Sequence, residues 1–83
     1  MITMPTLDEI REHFRQNVKS RRRELSLSQE QLAAVTGIPQ PSIANFERGT
    51  RVPSFETLVK LAEGLRTSPD VLLRPHVFSE ISG

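Results

Sequence analysis

Gln40 and Asn45 are the side chains of this sequence best equipped to read another molecule. Each amide pairs one hydrogen-bond donor with one acceptor, the combination that matches N6 and N7 on the edge of adenine. Pro41 beside Gln40 offers only carbon, which suits a thymine methyl group. Arg48, Thr50 and Arg51 follow within a few residues and bring charge and a hydroxyl, groups that suit phosphate oxygens, and Ser42 could add another hydroxyl. Standing alone, such residues are ordinary solvated surface. They gain meaning only if a rigid element presents them together.

Other chemistries find little footing. The 83 residues contain no Cys, which removes disulfides, thiolate metal sites and a thiol nucleophile. His13 and His76 have no second ligand at metal spacing, so no metal is expected. Serines are plentiful, but none sits in a recognisable nucleophile motif, and there is no glycine-rich phosphate loop. No catalytic residue and no cofactor is expected. The net charge is only +1, yet Lys19 to Arg51 holds six basic residues against three acidic ones, a local excess of three. No apolar run approaches a membrane span, and the polar, acidic start is unlike a secretory signal. A cytoplasmic protein is the expectation.

Helical periodicity dominates the chain, and no strand pattern survives, so the fold is expected to be all-α. Thr6 and Glu9 form a capping-box pattern, and Leu7, Ile10, Phe14, Val18 and Leu25 then mark one apolar stripe ending near Glu24. A second capping box, Ser28 with Gln31, opens helix two, whose buried side is read as Leu32, Ala33 and Val35. Gly37 ends it by entering the left-handed region. Pro39 and Pro41 then start helix three, because a first-turn proline lacks only an amide that has no helical partner. Gln40 stands at the tip. Ile43 and Phe46 face inward, leaving Ser42, Ala44, Asn45 and Arg48 outward until Gly49. Ser54 caps a fourth helix with Phe55, Leu58, Leu61, Ala62 and Leu65 on its apolar face. Pro69 opens a short fifth helix. Two short helices joined by a glycine turn are the helix-turn-helix unit, whose second helix enters the major groove of DNA.

The ordered motifs LSQEQLA (Leu27 to Ala33), Gly37, Ser42-Ile43, Glu47 to Gly49, Pro53, LVKLAEGL (Leu58 to Leu65) and SPDVLL resemble the Cro/C1-type (Xre) helix-turn-helix family of bacterial and phage regulators. The resemblance covers about Phe14 to Leu73. It implies a compact five-helix, lambda-repressor-like fold and sequence-specific binding to double-stranded DNA, commonly as a dimer. It implies base contacts from Gln40, Pro41 and Asn45. It also implies that Gln29, opening helix two, holds a phosphate and braces Gln40, and that Glu47 pairs internally with Arg22. Arg21 and Arg23 are then expected in solvent. Pro41 departs from the polar residue usual at its position, and Arg66 stands where the family usually ends helix four with glycine.

The expected organisation is a single domain over residues 1–83, with an N-terminal helical extension (about 1–13), a core (about 14–73) and a tail (about 74–83). The expected function is a transcriptional regulator of the repressor kind that inserts helix three into the major groove as a homodimer. Helix five and the tail, with Leu72, Leu73, Val77, Phe78 and Ile81, are expected to form or border the dimer interface, with Leu7, Ile10 and Val59 nearby. The alternative is an antitoxin-type module whose apolar tail binds a partner protein while the fold binds DNA.

Overall fold

Local hydrogen bonding sets the helix starts. In the computed structural model, which describes residues 4–76, Thr6 and Glu9 close a capping box at the head of α1 (Leu7–Glu24). Ser28 and Gln31 do the same for α2 (Gln29–Thr36). Pro39 is the N-cap of α3 (Gln40–Arg48), with φ −57° and ψ 138°, and its carbonyl accepts from the amides of Ser42 and Ile43. Ser54 caps α4 (Phe55–Gly64) through the Thr57 amide, and α5 (Pro69–Leu73) begins on its proline. The described residues are helical, with no strand.

The ends of α1 to α4 use left-handed backbone. Gly37 (φ 77°) and Gly49 (φ 82°) supply it without strain. Ser26 (φ 59°) and Arg66 (φ 57°) adopt it despite carrying side chains. Both close the paired-bond Schellman ending. Leu27 and Ser26 donate to the carbonyls of Arg22 and Arg23, and Thr67 and Arg66 to those of Ala62 and Glu63. Helix four therefore ends in the glycine-type geometry although its sequence offers arginine.

One apolar cluster joins the five helices. It contains Phe14 and Val18 from α1, Leu32 from α2, Ile43 and Phe46 from α3, Leu61 and Ala62 from α4, with Ile38, Leu65 and Leu72 completing it. Phe14 meets Phe46 edge to face, with ring centroids 6.0 Å apart. α1 packs on α3 and α5, while α2 packs on α3 and α4.

Several inward assignments need correcting. Val35 is 62% exposed and Phe55 is 80% exposed, so neither belongs to the buried face of its helix. α2 has only eight residues, and its contact with α3 and α4 is centred on Leu32. Phe55 occupies the first turn of α4, ahead of the part that meets the core. Leu72 is 1% exposed, so it seals the monomer and is not available to an interface. Val77, Phe78 and Ile81 lie outside the described residues.

Arg21 also departs from expectation. Its guanidinium donates to the carbonyls of Leu65 (2.9 Å) and Arg66 (3.2 Å) and pairs with Glu24. It thus satisfies carbonyls left free at the end of α4. Asn17 plays the same part for α5, its Nδ2 donating to the carbonyls of Leu72 (2.9 Å) and Arg74 (2.8 Å). Polar side chains of α1 hold both C-terminal helices in place.

Candidate nucleic-acid interface

α2 and α3 meet at the Gly37 turn, and the first residues of both helices come together. Gln29 opens α2 and Gln40 opens α3. Gln40 Nε2 donates to Gln29 Oε1 at 2.8 Å. Gln29 Nε2 in turn donates to Glu47 Oε1 at 3.1 Å. The cluster continues to α1, where Arg22 grips both oxygens of Glu47. Nε lies 2.6 Å from Oε2, and Nη2 lies 2.9 Å from Oε1. Arg22 Nη1 donates to the Leu27 carbonyl at 2.8 Å. Four side chains from three helices therefore form a continuous hydrogen-bonded line from the core to the tip of α3.

Glu47 is the buried charge of this line, with only 4% of its side chain exposed, against 11% for Arg22. Burial pushes its carboxyl pKa up. The hydrogen bonds from Arg22 and Gln29, with the charges of Arg22 and Lys19, outweigh that and hold it below the ordinary carboxylate range. Donating to Glu47 raises the pKa of Arg22 in return. Both groups are charged at neutral pH, and the pair lies behind α3 and not on its outward surface.

The other residues of α3 differ in readiness. Pro41 is exposed, while Gln40, Ser42 and Asn45 are half-buried. Asn45 Oδ1 accepts hydrogen bonds from Arg48 Nη2 and, at 3.3 Å, from Thr50 Oγ1. Its acceptor is therefore already engaged within the protein. Arg48, Thr50 and Arg51 are exposed at the end of α3 and in the loop beyond. Ser42 and Arg51 line a cavity of about 360 Å³ that also includes Ser54, Thr57 and Lys60. Lys60 was not singled out from the sequence. It lies on the exposed side of α4, and only the packing of α4 beside the turn brings it to this groove. Arg15 of α1 reaches the same side of the molecule, its guanidinium held by Glu12. Its Cδ would stand 2.9 Å from a Cβ placed on Gly49, which puts it over the start of the α3–α4 loop.

The tight Gly37 turn between two short helices on a five-helix core agrees with comparison to known proteins. The helix-turn-helix family matches residues 18–72, most of the chain. The chain belongs to the helix-turn-helix family. Control protein C.SmaI of Serratia marcescens is 39% identical over 82 residues, covering 93% of this chain and 98% of that protein. The crystal structure of the restriction-modification controller protein C.AhdI from Aeromonas hydrophila superimposes with a TM-score of 0.70 at 35% identity, covering 72% of this chain and 91% of that one. The DNA-binding domain of the P22 C2 repressor gives a TM-score of 0.73 at 29% identity, covering 80% and 87%. This helix-turn-helix protein is thus a DNA-binding transcriptional regulator with a lambda-repressor-like, Cro/C1-type fold. No helix among the described residues is long and apolar enough to cross a membrane.

Proposed function

We propose that this protein regulates transcription by inserting α3 into the major groove, with Gln40, Pro41 and Asn45 meeting base edges. Gln29, Ser42, Arg48, Thr50 and Arg51 meet the flanking phosphates. The observation that carries this reading is the Gln40 side chain, held at the tip of α3 by Gln29 while part of its amide remains free. Gln29 also opens α2, where unpaired amides and the helix dipole favour an anion. Likeness to two controller proteins supports a regulator of the controller kind, and likeness to a phage repressor domain supports repression as one mode of action.

The working unit on this reading is a dimer. One short helix reads too few bases to stand out among a genome's competing sites, whereas a symmetric pair doubles the contacts on a near-palindromic sequence. An apolar groove of about 180 Å³, lined by residues that include Leu7, Ile10, Val52, Leu58 and Leu73, supports a second copy as its occupant. Leu7 is 63% and Val52 49% exposed, more apolar surface than a lone monomer needs in one place.

Selection of bound sites from a random DNA pool tests the reading. The Gln40→Ala protein should lose preference at particular positions, costing about 1–3 kcal/mol for a good bidentate contact. The Arg51→Ala protein should weaken all sequences alike and reduce the salt slope by about one unit per half-site. A chain that selects no sequence, or variants that leave the selected site unchanged, would refute it.

A further inference from the structure

The hydrogen-bonded line ending at Gln40 has a direction. An ionised carboxylate can only accept hydrogen bonds, whereas an amide has one end that donates and one that accepts. Glu47 Oε1 already accepts from Arg22 and stands 3.1 Å from the Gln29 amide. A flipped Gln29 would set its carbonyl oxygen against that carboxylate, oxygen to oxygen. Gln29 must therefore turn its NH2 toward Glu47 and its Oε1 the other way. That Oε1 lies 2.8 Å from the Gln40 amide, so Gln40 must answer with its own NH2. The fixed charge at one end decides the orientation of both amides.

We propose that Glu47 is a positioning residue for base recognition. Acting through Gln29, it fixes which end of the Gln40 amide donates and which accepts. This rests on the reading of Gln40 as a base-contacting residue. With its polarity set, Gln40 presents Oε1 and the second hydrogen on Nε2. Adenine matches both, giving N6–H to the oxygen and N7 to the remaining N–H. Guanine carries O6 where adenine carries N6, and so meets the Gln40 oxygen with another acceptor. An amide released from Gln29 could turn its oxygen aside and give both its N–H groups to O6 and N7, and guanine would become acceptable. The relay therefore selects adenine over guanine at one position of the site. Arg22 takes part only by keeping Glu47 ionised and in place.

Binding of DNA duplexes that differ by adenine or guanine at a single position tests this, with four proteins compared: the unaltered chain, Gln40→Ala, Gln29→Met and Glu47→Gln. Circular dichroism first establishes that each is folded at the assay temperature. The Gln40→Ala protein locates the position that Gln40 reads. At that position the unaltered chain should prefer adenine by about 5- to 150-fold, the discrimination of one good bidentate contact. Gln29→Met interrupts the line without touching the ion pair. Glu47→Gln keeps the shape but allows either end of its amide to face Gln29. Both should lower the adenine preference at least about fivefold at that position and leave other positions unchanged. A general loosening of the fold would weaken every sequence equally, without changing this ratio. If Glu47→Gln does not fold, Gln29→Met decides the matter. Unaltered adenine preference in Gln29→Met, or in folded Glu47→Gln, overturns the relay while leaving Gln40 as a reader. If Gln40→Ala itself leaves every position unchanged, the reading of Gln40 falls, and the relay falls with it.

Discussion

Replacing Glu47 by Ala should remove a large part of the stability of this fold. The substitution deletes two of the three hydrogen bonds that the Arg22 guanidinium makes, leaving only the one to the Leu27 carbonyl. It also removes the acceptor for Gln29 Nε2. Arg22 is 11% exposed, so water has little access to replace what is lost. Breaking a buried pair from one side costs about 3–5 kcal/mol. The surviving Leu27 bond and the slight exposure of Arg22 place the expectation near the lower end, about 3 kcal/mol. A chain of this length has roughly 4–12 kcal/mol in all. The melting temperature should fall by roughly 12–24 °C. Urea unfolding provides the measurement, with Arg23→Ala as the comparison because Arg23 is exposed and should change stability by about 0.5 kcal/mol or less. The urea slope should be unchanged, since the surface exposed on unfolding is nearly the same. Acid supplies a second reading. The folded carboxyl titrates below its ordinary range, so its contribution is present above that range and is lost as pH falls through the folded value. The stability gap between the unaltered chain and Glu47→Ala should therefore narrow in acid. Coincident midpoints for Glu47→Ala and Arg23→Ala at neutral pH would refute the energetic role given to the pair.

Three further substitutions probe other features. Arg66→Gly should stabilise by about 1 kcal/mol in urea unfolding, because Arg66 holds a left-handed φ of 57° that glycine adopts without clash, and the bond from Arg21 reaches only its carbonyl. Gly64→Ala should destabilise by roughly 1–2 kcal/mol despite alanine's better helix propensity. The added Cβ would stand 2.3 Å from Thr36 Cγ2, and the Thr36 hydroxyl is tied to the Leu32 carbonyl at 2.7 Å, so the methyl cannot swing away freely. Leu7→Glu alters a side chain of the proposed dimer groove that is 63% exposed, so it should leave the monomer's melting temperature within a few degrees while weakening the self-association seen by sedimentation. An unaltered dimerisation constant would exclude Leu7 from the interface.

The parts of the fold legible in the sequence are those fixed by near neighbours. Both capping boxes span three residues, and the Gly37 and Gly49 turns follow from the absence of a side chain, so each announces itself locally. Periodicity located Ile43, Phe46, Leu61 and Leu65 in the core. It failed at Val35 and Phe55 because a repeat defines the direction of a face, not how far along the helix that face is covered. Arg21 was misread for a different reason. Its partners are carbonyls more than forty residues away, freed only where α4 happens to stop. The left-handed Arg66 shows the converse. The ending of α4 keeps its geometry against the local preference of its residue, because the packed core on either side leaves the chain no other path.

The candidate site divides along the same line. Residue type marked Gln40 and Asn45 as equivalent, each a donor beside an acceptor. The structure makes them unequal. Gln40 is ordered before any encounter, so much of the rotamer entropy that a glutamine loses on being fixed, up to about 2 kcal/mol, has already been lost on folding. On the proposed reading its contact with a base would therefore return more net affinity than that of a free side chain. Asn45 faces the opposite exchange. Its oxygen is occupied by Arg48 and Thr50, and bidentate contact with adenine would require releasing that oxygen. The net return is smaller, unless Arg48 gains a phosphate as it lets go. A base contact from Asn45 is thus coupled to a backbone contact from Arg48, whereas one from Gln40 is coupled to the core through Gln29 and Glu47. Two amides on one helix face would answer to two different partners, one at the rim of the interface and one inside the protein.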